Sequence, residues 1–210
     1  MTETRSRLRG LARPPAPEAE GAAEERCDLC GEPVPQGHRH LIDVTDRRLL
    51  CACRPCTILF DHQGAGGGHF RLLPTAVRYL DGFELDDALW RALDIPVELA
   101  FFFHSTPAGK VVAFYPAPAG ATESQLHLDA WTDLVERNPV LRELEPDVEA
   151  LLVNRTGGRR ESWIVPVDRC YELVGVIRTY WKGFGGGTEL WEQVEAFFGR
   201  LRAEATSARN

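Results

Sequence analysis

The chain has 210 residues, of which 44% are hydrophobic, with a formal net charge of -7 at pH 7 and a pI near 5.4. This length can bury one core of ordinary domain size and a small additional module. The negative charge repels nucleic acid and anionic membrane surfaces, which argues against both as partners. No run approaches the roughly 20 apolar residues that cross a bilayer, so we expect no membrane insertion.

Residues 1–25 are rich in Pro, Ala, Glu and Arg and contain almost nothing to bury. Ordering such a segment costs entropy without an apolar return, so we predict a disordered N-terminal arm. Its arginines are not followed by the apolar stretch of a signal peptide. We therefore expect a cytoplasmic protein, in which closely spaced cysteines are more often metal ligands than disulfides.

Five of the six cysteines fall within thirty residues. Two C-x-x-C pairs separated by about two dozen residues are typical of a tetrahedral four-sulfur site, because each pair forms a turn that directs both sulfurs at one ion. The spacing predicts a metal site whose ligands are Cys27, Cys30, Cys53 and Cys56.

Three further residues are additional or alternative ligands of this metal. Cys51 is a fifth thiol, and strand geometry would turn it toward the same side as Cys53, beside the ion or in place of one ligand. His38 and His40 share one face of a predicted strand. They could bind the metal, hydrogen-bond the sulfurs from outside, or lie on an exposed strand.

The predicted metal-binding module spans residues 26–62. Strands are expected at 38–44 and 48–51, with a turn between them and a short helix after Cys56 that would hold Cys53 and Cys56 in its first turn. The order of turn, hairpin and turn resembles a zinc ribbon or treble clef, and more loosely the paired loops of a rubredoxin. The resemblance implies a metal without fixing its identity. We expect Zn²⁺, as the structural ion of a module too small to fold alone, with Fe as the alternative because four thiolates suit either metal.

The glycine-rich residues 63–68 are predicted to be a flexible linker that marks the domain boundary. Residues 69–210 have the pattern of an α+β domain. Hairpins are expected from strands 97–104 and 110–115 and from strands 148–154 and 162–167. Each hairpin leads into a helix, which suggests a ββα repeat sharing one antiparallel sheet.

Four helices are predicted in this domain. The two C-terminal helices begin after caps at Asp168 and Thr188, and the first of them ends at Gly183. Shorter helices are expected at 86–93 and 128–137. The apolar stripes of the C-terminal pair are wide enough to cover one face of the sheet.

The stretches HRHLIDVTDRRLLCACRPCTILF and VPVDRCYELVGVIRTYWKGFGGGTELW resemble an uncharacterised bacterial family encoded beside genes of oxygen-tolerant uptake NiFe hydrogenases. The resemblance implies an accessory role in hydrogenase maturation, assembly or electron transfer. It carries no established activity. The partners it implies are hydrogenase subunits or maturation factors.

The metal motif is not accompanied by a base, a nucleophile or an open coordination position, so we expect a non-catalytic protein. A rubredoxin-like Fe(Cys)4 electron carrier is the main alternative. A zinc ribbon that binds nucleic acid would use the local positive charge of Arg39, Arg47, Arg48 and Arg54. A nuclease of the HNH type would need His38 or His40 as its base, but the sequence offers no partner to complete that site.

Overall fold

The computed structural model describes residues 25–61, 65–183 and 185–209. The predicted disordered arm therefore lies outside the described residues, apart from residue 25. Two sheets, of three and seven strands, are combined with five α-helices in these ranges. This confirms the predicted α+β class. No helix in the described part of the chain is both long and apolar enough to cross a membrane.

The three-stranded sheet contains the cysteine-rich hairpin. Strands β1 (Arg39–Asp43) and β2 (Arg48–Ala52) pair antiparallel, and helix α1 (Arg54–Leu59) follows directly. Arg47 closes the connecting turn with a φ of 57°. A third strand, β3 (Phe70–Leu72), pairs antiparallel with the free side of β1. The predicted hairpin and short helix are confirmed.

The predicted linker at 63–68 is described only in part, because residues 62–64 lie outside the described ranges. Ala65–Gly68 form one turn of 3₁₀ helix that leads into β3. Since β3 belongs to the sheet of the module, the chain returns to that sheet after the glycines. The domain boundary at 63–68 stays a prediction.

The seven-stranded sheet has the order β10-β4-β9-β8-β5-β6-β7. Its neighbouring strands are antiparallel, except that β10 is parallel to β4. The strands are β4 (Arg78–Asp81), β5 (Leu99–Ser105), β6 (Lys110–Ala117), β7 (Gly120–Ser124), β8 (Glu149–Asn154), β9 (Glu161–Pro166) and β10 (Thr206–Arg209), and the helices are α2 (Asp87–Ala92), α3 (Leu128–Arg137), α4 (Val167–Tyr180) and α5 (Thr188–Glu204).

Helices cover both faces of this sheet. Side chains alternate along β5, because successive residues of a strand point to opposite faces. Phe101 and Phe103 pack into a core with α4 and α5, whereas Ala100 and Phe102 pack into a second core with α2 and α3. The C-terminal helices thus cover one face, as their apolar stripes predicted.

Two predicted helix caps are wrong. Helix α4 begins after Pro166, so Asp168 lies in its first turn and makes no cap. Helix α5 begins after Gly187, whose φ is 81°, and Thr188 is its first helical residue. The two predicted hairpins are present, but β7 follows the first of them, so only the second leads straight into its helix.

Candidate metal centre

The structure brings together the four cysteines that the sequence singled out. The sulfur atoms of Cys27, Cys30, Cys53 and Cys56 all lie within 4.8 Å of one another. Two of them, on Cys30 and Cys53, are 3.5 Å apart. Ligand atoms around one tetrahedral ion are roughly 3.3 to 3.8 Å apart, given metal–ligand bonds of about 2.0 to 2.3 Å. These four sulfurs could therefore hold a metal ion with small movements.

A tight turn positions the first pair of sulfurs. The amide of Cys27 donates to the carbonyl of Glu32, and the amide of Gly31 donates to the carbonyl of Cys27, both at 2.8 Å. Gly31 has a φ of +77°, in the left-handed region that glycine tolerates without steric cost. The chain can reverse there, which leaves Cys27 buried and Cys30 exposed at the edge of the site.

The start of α1 positions the second pair. Cys53 precedes the helix with extended backbone, and Pro55 lies in its first turn, where a missing N–H costs no hydrogen bond. The amide of Thr57 donates to the carbonyl of Cys53 at 2.9 Å, which closes that turn. The sulfurs of Cys53 and Cys56 consequently lie at the positive end of the short helix, where negative charge is favoured.

A pair of hydrogen bonds joins the two halves of the site. The amide of Asp28 donates to the carbonyl of Cys51 at 2.9 Å, and the amide of Cys51 donates to Oδ2 of Asp28 at 2.6 Å. Beneath them, Leu41 and Leu50 pair across the hairpin and are buried with the cysteines. The two turns are thus fixed relative to each other by the backbone and by a small apolar core.

The thiols of Cys27 and Cys56 differ in acidity. Burial opposes ionisation of Cys27, but the backbone amides of Cys53, Leu29 and Cys30 stabilise its thiolate more and lower its pKa to about 6. Burial and the neighbouring sulfurs raise the pKa of Cys56 well above its ordinary value. The Cys27 sulfur is therefore ready to bind a cation, whereas binding at Cys56 must displace a proton.

The remaining three candidate residues form a second group. One ring nitrogen each of His38 and His40 and the sulfur of Cys51 lie within 4.8 Å of one another. His40 and Cys51 are direct cross-strand partners in the hairpin. The structure groups Cys51 with the two histidines, whereas Cys53 belongs to the four-sulfur group.

Sequence reasoning missed one residue of this second group. Nδ1 of His40 lies 2.8 Å from Oδ2 of Asp168, in the first turn of α4. The two residues are 128 positions apart, and no local pattern links them. The sequence offered an ordinary local role for Asp168, as a helix cap, and only the tertiary structure shows the contact.

Comparison with family models gives one match, to a family described as "Family of unknown function (DUF5947)", over residues 26–205. The comparisons with curated proteins and with solved structures found no match. The matched range contains both cysteine pairs, both histidines of the second group and all but the final strand of the large sheet. Because the match spans well over half of the sequence, the chain belongs to the DUF5947 family of unknown function.

Proposed function

We propose that the protein is a non-catalytic, metal-binding accessory protein in which Zn²⁺ at the four cysteines folds the N-terminal module for contact with a protein partner. The observation that carries the proposal is the convergence of four sulfurs from two turns within 4.8 Å. Apparent binding energies of about 10 to 16 kcal/mol for structural zinc exceed what the few apolar residues of the module supply. The order of turn, hairpin, turn and helix is similar to a treble clef, which supports zinc.

Four protein sulfurs fill a tetrahedral coordination sphere and leave no position for a substrate. This favours a structural ion over a catalytic one. The surface beside the ion supports a role in contact. Ile58 and Leu59, on α1 next to Cys56, are 64% and 62% exposed. Adjacent exposed apolar side chains beside a rigid metal site suit a protein partner.

The proposed partners are the subunits or maturation factors of a NiFe hydrogenase, in the cytoplasm. This part of the proposal is supported by the sequence resemblance alone. Affinity purification of the full chain from its native host tests it. A doubly substituted variant, Ile58→Glu with Leu59→Glu, should lose the hydrogenase protein that the wild type recovers.

The matched control is Leu128→Glu, which places the same charge at an apolar residue that is 53% exposed at the start of α3. Zinc content should equal that of the wild type in both variants, which shows that the module is still folded. Equal recovery of the partner by all three proteins, or recovery of none by the wild type, would count against the proposal.

The same cage suits iron, and one observation favours an electron carrier as a second candidate. Cys30 is exposed, so a bound iron would have a ligand at the protein surface, where electrons can leave. Elemental analysis of protein purified without oxygen separates the candidates. Zinc without iron removes the electron carrier, whereas iron with visible absorption that bleaches on reduction removes the structural zinc.

A further inference from the structure

We propose a second metal site, distinct from the four-cysteine site; the zinc counts that test it rest on the zinc proposed for that first site. Its ligands are His38, His40 and Cys51, and Asp168 orients His40. One thiolate and two imidazoles suit a divalent ion of the zinc class. The site lies where the hairpin of the module meets the start of α4.

The hairpin places two of the ligands on one face, and His38 directly precedes β1. His38 and His40 are two residues apart, and Cys51 is the cross-strand partner of His40. Ile42 and Leu49 continue the same face, and both pack against the core beneath α4 and α5. The second group therefore faces the large sheet and its helices, whereas Leu41 and Leu50 face the four-sulfur site.

His38 supplies the observation that points to a ligand. Its side chain is only 7% exposed, and its Nδ1 lies 3.0 Å from the carbonyl oxygen of Pro35 and 3.6 Å from the carboxylate of Glu25. Both neighbours only accept, so Nδ1 donates and Nε2 carries the lone pair. Nε2 is buried and has no hydrogen-bond partner within residues 25–61, 65–183 and 185–209. A cation beside it would satisfy this atom.

His40 is held as metal-binding histidines commonly are. Its Nδ1 donates to the carboxylate of Asp168 at 2.8 Å, which leaves Nε2 with its lone pair. A carboxylate in this position fixes the ring and makes the other nitrogen more basic. The two rings meet edge to face, with centroids 4.8 Å apart, so both histidines are already close together.

Three protein ligands leave a fourth position in a tetrahedral sphere, which water or an external ligand would fill. An open cleft of about 400 Å³ lies beside the site and is lined by His38, His40 and Asp168, together with Arg39 and Arg169. An ion there would be exchangeable, unlike the ion enclosed by four sulfurs. The ion would also link the module to α4, because His40 and Cys51 lie on the hairpin and Asp168, which orients His40, lies on α4.

The zinc content of the full-length protein tests the proposal. Protein equilibrated with Zn²⁺ and freed of excess should contain two zinc ions per chain, and His40→Ala with Cys51→Ala should contain one. The control His127→Ala, at a histidine whose side chain is 67% exposed and outside both groups, should keep two. One zinc ion per chain in all three proteins would overturn the proposal.

Two further measurements keep the test decisive if the double variant folds poorly. X-ray absorption at the zinc edge of the wild type should show sulfur and nitrogen ligands together, and a pure sulfur shell would refute the second site. Asp168→Asn keeps an oxygen that accepts from His40 but removes the charge. It should lower the affinity of the second zinc about 10- to 100-fold, as measured by chelator competition. Lower stability with unchanged affinity would overturn the role assigned to Asp168.

Discussion

Substitutions at two neighbouring residues of β1 can measure how strongly the module is held to the large sheet. Leu41 is 0% exposed and lies in the core beside the four cysteines, whereas Ile42 is 1% exposed and lies in the core beneath α4 and α5. The two side chains point to opposite faces of one strand. We expect Ile42→Ala to loosen the module from the large sheet without disturbing the four-sulfur site.

The size of the effect follows from burial. Ile42→Ala removes three buried carbons, worth about 2.4 kcal/mol at about 0.8 kcal/mol each. A cavity term brings the cost to about 3 to 4 kcal/mol, since a well-packed site relaxes only in part. In a chain of this size each kcal/mol lowers Tm by about 2 to 4 °C, so Tm should fall by about 6 to 16 °C.

Thermal unfolding and zinc release into a chelator separate the two faces. Release of an ion from the four sulfurs far below Tm depends on local opening of the module, so Leu41→Ala should speed that release strongly and Ile42→Ala much less. Ile42→Val is the conservative control and should cost about 0.5 to 1.5 kcal/mol. A Tm for Ile42→Ala within about 1 °C of the wild type would refute the reasoning, because it would mean that the module does not contribute to the main core.

Three other substitutions test the large domain by urea unfolding. Arg78→Met should cost about 3 to 5 kcal/mol, because it leaves the charge of Glu149 unpaired. Glu149 is 8% exposed and accepts two hydrogen bonds of 3.1 Å from the guanidinium, and only the bond from the amide of Glu145 would remain. Adding Glu149→Gln should recover part of the loss. Asn138→Ala should cost about 2 kcal/mol or more, because this fully buried amide bonds three backbone groups, two of Glu84 and one of Leu134. A loss below about 0.5 kcal/mol would contradict that role. Gly186→Ala should cost about 1 to 3 kcal/mol, because the φ of Gly186 is +82° and an added Cβ would meet Leu190 of α5. Gly185→Ala should be nearly neutral, because a Cβ added there would extend into open space.

The parts of the fold that were predictable depend on short-range patterns. The hairpin of Phe101 and Phe103 is encoded by β-branched and aromatic residues on each side of a turn. The four-cysteine group is predictable for the same reason, because each C-x-x-C turn is local and one ion can join two such turns. The sequence could therefore identify the candidate ligands before any tertiary contact was known.

The missed features depend on distant pairing. Strand β10 lies parallel to β4, and β3 joins the hairpin across the glycine-rich segment. Strands β3 and β10 have three and four residues, which is too short for a clear alternation of apolar and polar residues. The contact of Asp168 could not be predicted, because its carboxylate accepts a hydrogen bond from His40 in the three-stranded sheet, far away in the sequence. The cap position of α4 is occupied by Pro166 instead.

The separation of the two metal-ligand groups comes from where β2 ends. Alternation along a strand would put Cys51 and Cys53 on the same face, but β2 ends at Ala52 and the chain turns into α1 at Cys53. Cys53 is thereby directed to the other three sulfurs, and Cys51 stays on the face of His40. The four-sulfur group thus lies on one side of the hairpin, and the mixed nitrogen and sulfur group lies on the other. An ion held by the all-sulfur set would lie within the module, whereas an ion held by the mixed set would depend on α4 through Asp168. Loss of contact with the large domain should therefore weaken the second set first.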